Sequence, residues 1–177
     1  MHAHVNPGAH VRGFLLNPHH GYAAGIAGKA RLQQLKGEGI KLLEPDDGDI
    51  LAPLKVAVFT DPECNFCEKL HKEMKQVLQE RRDIVFYVLL YPLSFHKDAY
   101  WKSKSILCNQ SLKMLDEAFA RKEIPRLECE TKEIDANIRL AEALGITGTP
   151  TLVLPDGRVH SGTLPAKQLI AFIQGSR

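Results

Sequence analysis

Two cysteines three positions apart, Cys64 and Cys67, lie in the run Asp61-Pro62-Glu63-Cys64-Asn65-Phe66-Cys67-Glu68-Lys69-Leu70-His71. A pair at this spacing closes one short disulfide, opens it, and exchanges it with another. Lys55 to Thr60 before it reads as a β-branched strand, and Glu68 to about Arg81 as a helix, which puts Cys64 at a helix N-terminus. Unpaired backbone N–H groups and the positive end of the helix dipole favour an anion there, so a Cys64 thiolate is stabilised over the thiol. Thiols so placed titrate roughly one to five units below the free value of about 8.5. Cys67, one turn further in, is expected to be less exposed and to close the disulfide.

The elements that must position this pair follow from the patterning around it. Asp83 to Tyr91 is a continuous apolar run of the kind found in a buried parallel strand, so strand, helix and strand make a βαβ unit with a right-handed crossover. His96 to Arg121 is predicted as a polar helical stretch, with Trp101, Ile106, Leu107, Leu112, Leu115 and Phe119 at mostly helical spacing. A further helix is expected from about Thr131 to Leu144, stopped by Gly145. Two short strands flank Asp156-Gly157, a hairpin signal, and a closing helix from about Pro165 to Ile173 turns Leu169, Ile170 and Ile173 inward. Towards the N-terminus, Ala23 to Lys36 suits a short amphipathic helix and Gly39 to Leu43 an edge strand. The expected organisation is an irregular or short helical extension over 1–37 and one domain over 38–177, with a helical insertion at about 94–130.

Bulk properties narrow the function classes. An apolar fraction of 44% and a charged fraction of 25% are those of an ordinary globular chain. Net charge is +2 with no long basic run, so nothing points to nucleic acid or an anionic membrane surface. No window approaches a membrane span. Val11 to Leu16 is too short for a signal-peptide core, and Asn17-Pro18 interrupts it. His2, His4, His10, His19 and His20 crowd the first 20 positions; a flexible terminal segment is the expected reading over weak metal binding.

Around the dithiol, Glu63 and Glu68 would oppose a thiolate if close, although a solvated face is the simpler expectation. His71 either tunes Cys67 or is an ordinary exposed helix residue. Asp61 is a candidate for moving a proton to Cys67. Trp101 is expected in the core rather than as a substrate platform. A zinc half-site at Cys64 and Cys67 would need a second tight cysteine pair, whereas Cys108 and Cys129 are widely spaced.

A βαβ unit opening on Cys-x-x-Cys, then helices, then a hairpin with proline at its start, is the layout of a thioredoxin-like α/β domain with a mixed central sheet flanked by helices. Phe59-Thr60-Asp61, Cys64-x-x-Cys67, Lys69-Leu70-His71, the insert with Cys108 and Cys129, and Gly145 to Pro150 together resemble the catalytic domain of bacterial DsbC/DsbG-type disulfide isomerases. The match runs from about Leu54 to the C-terminus. The resemblance implies Cys64 as nucleophile, Cys67 as resolving cysteine, Thr149-Pro150 as the cis-proline dipeptide that meets substrate, and Cys108–Cys129 as a structural disulfide. It implies no cofactor and no metal, cysteine-containing polypeptides as substrates, and a membrane thiol reductase or oxidase as the partner that resets the site. Such a disulfide is hard to keep in a reducing cytosol, so a periplasmic location is expected, with the targeting segment absent from this sequence.

Asn65-Phe66 stands where Gly-Tyr is common in that family. The roughly 50 residues before the strand are too few for the dimerisation domain and linker helix of its isomerases. A monomer or small homodimer therefore stays open, and so does an oxidase or reductase beside the isomerase. The competing class is a non-catalytic polypeptide- or zinc-binding module whose cysteines are structural.

Overall fold

The computed structural model describes residues 40–43 and 54–175. The expected extension over 1–37, with its histidines and its helix, lies outside the described residues. Strand β2 (Leu54–Thr60), helix α1 (Asn65–Glu80) and strand β3 (Ile84–Leu90) form the βαβ unit. β2 and β3 are parallel, in register from Leu54 beside Ile84 to Thr60 beside Leu90. The edge strand β1 (Ile40–Leu43) pairs antiparallel with β3. β4 (Thr151–Val153) pairs antiparallel with β2, and β5 (Val159–Ser161) with β4, which gives the order β1-β3-β2-β4-β5.

Both faces of this mixed sheet are covered, which is why β3 and the stretch Val56 to Phe59 of β2 are apolar instead of alternating. On one face, Val56, Val58, Ile84, Phe86, Val88 and Leu90 pack with Leu70, Met74 and Val77 of α1 and with Leu169 and Ile173 of α5 (Ala166–Gln174). On the other, Ala57, Phe59, Leu89 and Val153 pack with Leu140 and Ala141 of α4 (Glu133–Ala143) and with Ile146. Ile170 is half-buried and packs at the core's margin.

The hairpin turns at Asp156-Gly157 as its sequence indicates. Gly157 has φ of +90°, a conformation open to glycine at little cost. Its N–H donates to the Leu154 carbonyl at 2.9 Å.

The helical insertion differs from the single stretch expected over His96 to Arg121. It is two helices, α2 (Ala99–Asn109) and α3 (Leu112–Phe119). Gln110 takes a left-handed conformation at φ 48°, and the Ser111 hydroxyl accepts from the Met114 N–H, which restarts the helix as an N-cap. Ser111→Ala is expected to cost about 1 kcal/mol, read as a lower midpoint in urea with an unchanged slope. Trp101 packs half-buried against the core, its indole N–H donating to Asp98 at 2.9 Å.

Candidate functional site

α1 begins three residues earlier than its sequence suggested, because the turn before it is fixed. The Asp61 carboxylate accepts the Glu63 N–H at 2.7 Å, and the Asp61 carbonyl accepts the Cys64 N–H at 3.1 Å. Asn65 then opens the helix and Cys64 takes the N-cap position. From there Cys64 Sγ donates to the Thr149 carbonyl at 3.5 Å, across the Thr149-Pro150 peptide, which is cis. The two halves of the expected site, 85 positions apart, are thus brought together.

Both thiols are reduced, and they are unequal. Cys64 is 7% exposed and Cys67 only 1%, so an incoming sulfur meets Cys64 first. The Cys67 thiol, donating to Cys64, pulls the Cys64 pKa down to about 5; burial opposes this, and the Cys67 and Phe66 N–H groups and the Thr149 side chain add to it. Cys67 is driven the other way, well above the ordinary thiol value, by burial and by the same bond to Cys64. One cysteine is held ready as thiolate and the other keeps its proton, the division of labour an exchange dithiol needs.

Several neighbours are placed differently from expectation. Asp61 is fully buried, and its carboxylate is occupied by the Leu93 N–H at 2.7 Å and by His96 Nδ1 at 2.9 Å as well as by Glu63. Its contact with the dithiol runs through its backbone N–H, which donates to Cys67 Sγ at 3.4 Å. Glu63 is not a solvated carboxylate: Lys102 holds it at 2.8 Å, and the Asp98 N–H reaches its other oxygen at 3.2 Å. Glu68 pairs with Lys72 at 2.6 Å, which holds its carboxyl below the usual range. Neither carboxylate therefore stands as a bare charge beside the thiolate.

His71 is buried, not exposed. Its Nε2 meets Asp116 Oδ1 at 2.8 Å and its ring lies 5.3 Å from that of Phe119. Burial alone would raise the Asp116 carboxyl, but His71 and Lys75 together hold it below its ordinary value. The spacing carried this signal: Cys67, Leu70, His71, Met74 and Val77 follow the i, i+3, i+4, i+7 stripe of a buried helix face. For His96, Lys102 and Arg121 there was no such signal, since each reaches the motif from at least 35 positions away. Cys108, near the end of α2, and Cys129 are joined in a disulfide, their Cα atoms 5.8 Å apart.

A reduced dithiol at a helix N-terminus, facing a cis-proline loop on a mixed sheet, defines the thioredoxin-like class, and the chain belongs to that family: residues 52–175 match its thioredoxin-like domain. Within the class it groups with disulfide interchange proteins. It is 31% identical to a disulfide interchange protein from Neisseria gonorrhoeae, whose crystal structure superposes with a TM-score of 0.60 over 70% of this chain and 88% of that one. Thiol:disulfide interchange protein DsbC of Dickeya dadantii is 31% identical over 149 residues, and that of Salmonella typhimurium 32% over 146. These matches take in 83% and 81% of this chain but 59% and 58% of the relatives, so the chain spans a little over half of their length. The catalytic domain of ScsC from Proteus mirabilis shares the fold, with a TM-score of 0.64 at 17% identity over 84% of this chain and 96% of that one. Among the described residues no helix is long and apolar enough to cross a membrane.

Proposed function

We propose that this domain is a thiol-disulfide oxidoreductase/isomerase acting on cysteine-containing polypeptides, with Cys64 as nucleophile and Cys67 as resolving cysteine. The observation that carries the reading is the placement of the Cys64 sulfur, at the N-cap of α1, 3.5 Å from the Thr149 carbonyl of the cis-proline loop and nearer the surface than Cys67. In the exchange, Cys64 thiolate attacks one sulfur of a substrate disulfide; a new S–S bond forms as the old one breaks, and the second substrate sulfur leaves as thiolate. If that thiolate attacks another disulfide of the substrate, pairing is rearranged with no net electron transfer. If Cys67 gives up its proton and attacks Cys64, the substrate leaves with two electrons gained and Cys64–Cys67 is oxidised; the reverse sequence oxidises a substrate. Thr149 and Pro150 form the wall beside Cys64, where the Thr149 backbone pairs with an extended substrate strand.

Because a couple whose reduced form is stabilised is oxidising, the low Cys64 pKa favours a second reading, a monomeric oxidase of the same fold. A membrane thiol reductase or oxidase resets the site in either case. The Cys108–Cys129 bond supports an oxidising compartment, and the periplasm is the proposed location.

The test uses Cys67→Ser, which removes the resolving step. Incubated with scrambled ribonuclease, this variant is expected to accumulate a mixed disulfide through Cys64, while the wild type restores ribonuclease activity. Failure to trap any adduct, together with wild-type reactivation no faster than glutathione alone, sinks the proposal. The solution mass and the potential against glutathione then separate isomerase from oxidase.

A further inference from the structure

Arg121 lies just past α3, in the helical insertion, yet its guanidinium reaches the redox motif. The same nitrogen donates to the Glu63 carbonyl at 3.0 Å and to the Asn65 side-chain oxygen, the residues on either side of Cys64. Arg121 does this from φ +59°, a left-handed conformation unfavourable for any side chain with a Cβ. That conformation closes α3, the Arg121 N–H donating to the Ala118 carbonyl at 3.0 Å and the Lys122 N–H to the Glu117 carbonyl at 2.9 Å, and the two guanidinium hydrogen bonds tie this helix end to the redox motif.

The rest of the insertion grips the same loop. Lys102 and the Asp98 N–H hold the Glu63 carboxylate, while His96 and the Leu93 N–H hold Asp61. Arg121 differs from these in touching Asn65, the first residue of α1 and the first of the two between the cysteines. The next two residues, Phe66 and Cys67, supply the backbone N–H groups that favour the Cys64 thiolate.

We infer that Arg121 is a positioning residue for Cys64: by tying the Glu63 carbonyl and the Asn65 side chain to the insertion, it fixes the first turn of α1, so that the N–H groups of Phe66 and Cys67 stay directed at the Cys64 sulfur. The inference rests on the proposed exchange activity only in taking Cys64 as the reacting thiol. It makes the insertion part of the redox site, setting how reactive Cys64 is without touching substrate. The charged groups facing this turn are Glu63 with Lys102, Glu68 with Lys72, the buried Asp61 with His96, and Lys69, whose ammonium lies over the Phe66 ring. Of these cations, Lys102 reaches Glu63 alone, whereas Arg121 bonds to both residues flanking Cys64.

The test is the pH dependence of Cys64 reaction with a small disulfide, in the full chain and in Arg121→Gly. Glycine accepts the left-handed backbone, so a purely structural role leaves fold and reactivity intact, or improves the thermal midpoint. Loss of the positioning contact instead raises the Cys64 midpoint by about one unit, so that the thiolate fraction at pH 5 falls roughly fivefold and the rate, offset by the stronger nucleophile, about twofold, while the fold survives. Arg121→Lys, which keeps a donor on a long side chain, is expected to return the midpoint towards wild type. A wild-type midpoint in Arg121→Gly, or a lysine variant displaced as far as the glycine one, overturns the inference. An ordinary thiol midpoint in the wild-type protein would instead remove the thiolate on which the proposed function rests.

Discussion

At pH 6, Cys64 is expected to react with a small aromatic disulfide about tenfold faster than an unperturbed cysteine, and at pH 9 about thirtyfold slower. The crossing follows from two opposed effects. Lowering the pKa from 9.0 to about 5 raises the thiolate fraction at pH 6 roughly 900-fold. A thiolate of lower pKa is intrinsically weaker, and with a Brønsted slope of about 0.4 to 0.5 the four-unit shift costs about 60-fold. At pH 9 the population advantage has shrunk to about twofold and the weaker nucleophile loses. Cys64→Ser removes the fast phase, because the Cys67 thiol is buried and keeps its proton. A reaction midpoint at pH 8 to 9 in the wild-type protein would contradict the site as described.

The same shift has a thermodynamic signature. The folded pKa of Cys64 lies below its unfolded value, so its contribution to the stability of the reduced protein is fully present above about pH 9 and is lost as the pH falls through about 5. Reduced protein should therefore gain stability over oxidised protein as the pH rises across that window, measured by urea unfolding of both forms. Above pH 5, reduction of the Cys64–Cys67 disulfide takes up one proton for two electrons, since Cys64 stays ionised. The potential then falls by about 30 mV per pH unit, against about 60 mV below pH 5. A slope of about 60 mV across neutral pH would place both thiols in the protonated state.

Replacing Cys108 and Cys129 together by alanine is expected to cost about 3 kcal/mol and to lower the thermal midpoint by about 6 to 12 °C. The bond closes a loop of sequence separation 21 that carries α3 and the chain returning from it. Its loss restores that loop's freedom chiefly in the unfolded state. The native segment keeps a second tie: the Ser105 hydroxyl accepts the Leu127 N–H at 2.9 Å and faces the Leu127 carbonyl at 3.4 Å. The variant should therefore fold, with less margin. Thermal unfolding of the double variant beside wild type measures the loss, and a midpoint within one degree would assign the bond no stabilising role.

How much of this was legible beforehand can be read from particular residues. The apolar runs of β2 and β3, the turn at Asp156-Gly157 and the closing helix were all visible, because periodicity and turn chemistry act over a few neighbouring positions. The break at Gln110 and Ser111 was not, because helical spacing continues across it while the backbone does not. His71 was misplaced although its stripe was visible, because a histidine on an apolar face is settled by its partner, and Asp116 lies 45 positions on. Glu63 was taken for a solvated carboxylate because Lys102 is 39 positions away, in the insertion.

By itself the sequence determined that a dithiol of this spacing ends a buried strand and starts a helix, and that a threonine-proline step follows much later. Those are local properties, written in residue type and period. Only the tertiary structure decided what the dithiol is: that Thr149 stands against Cys64, that Asp61 is occupied by His96 and Leu93, and that the insertion holds Glu63 and Asn65. The reason is physical. The inequality of the two thiols arises from burial and from hydrogen bonds, and both exist only once segments distant in sequence have packed around the pair.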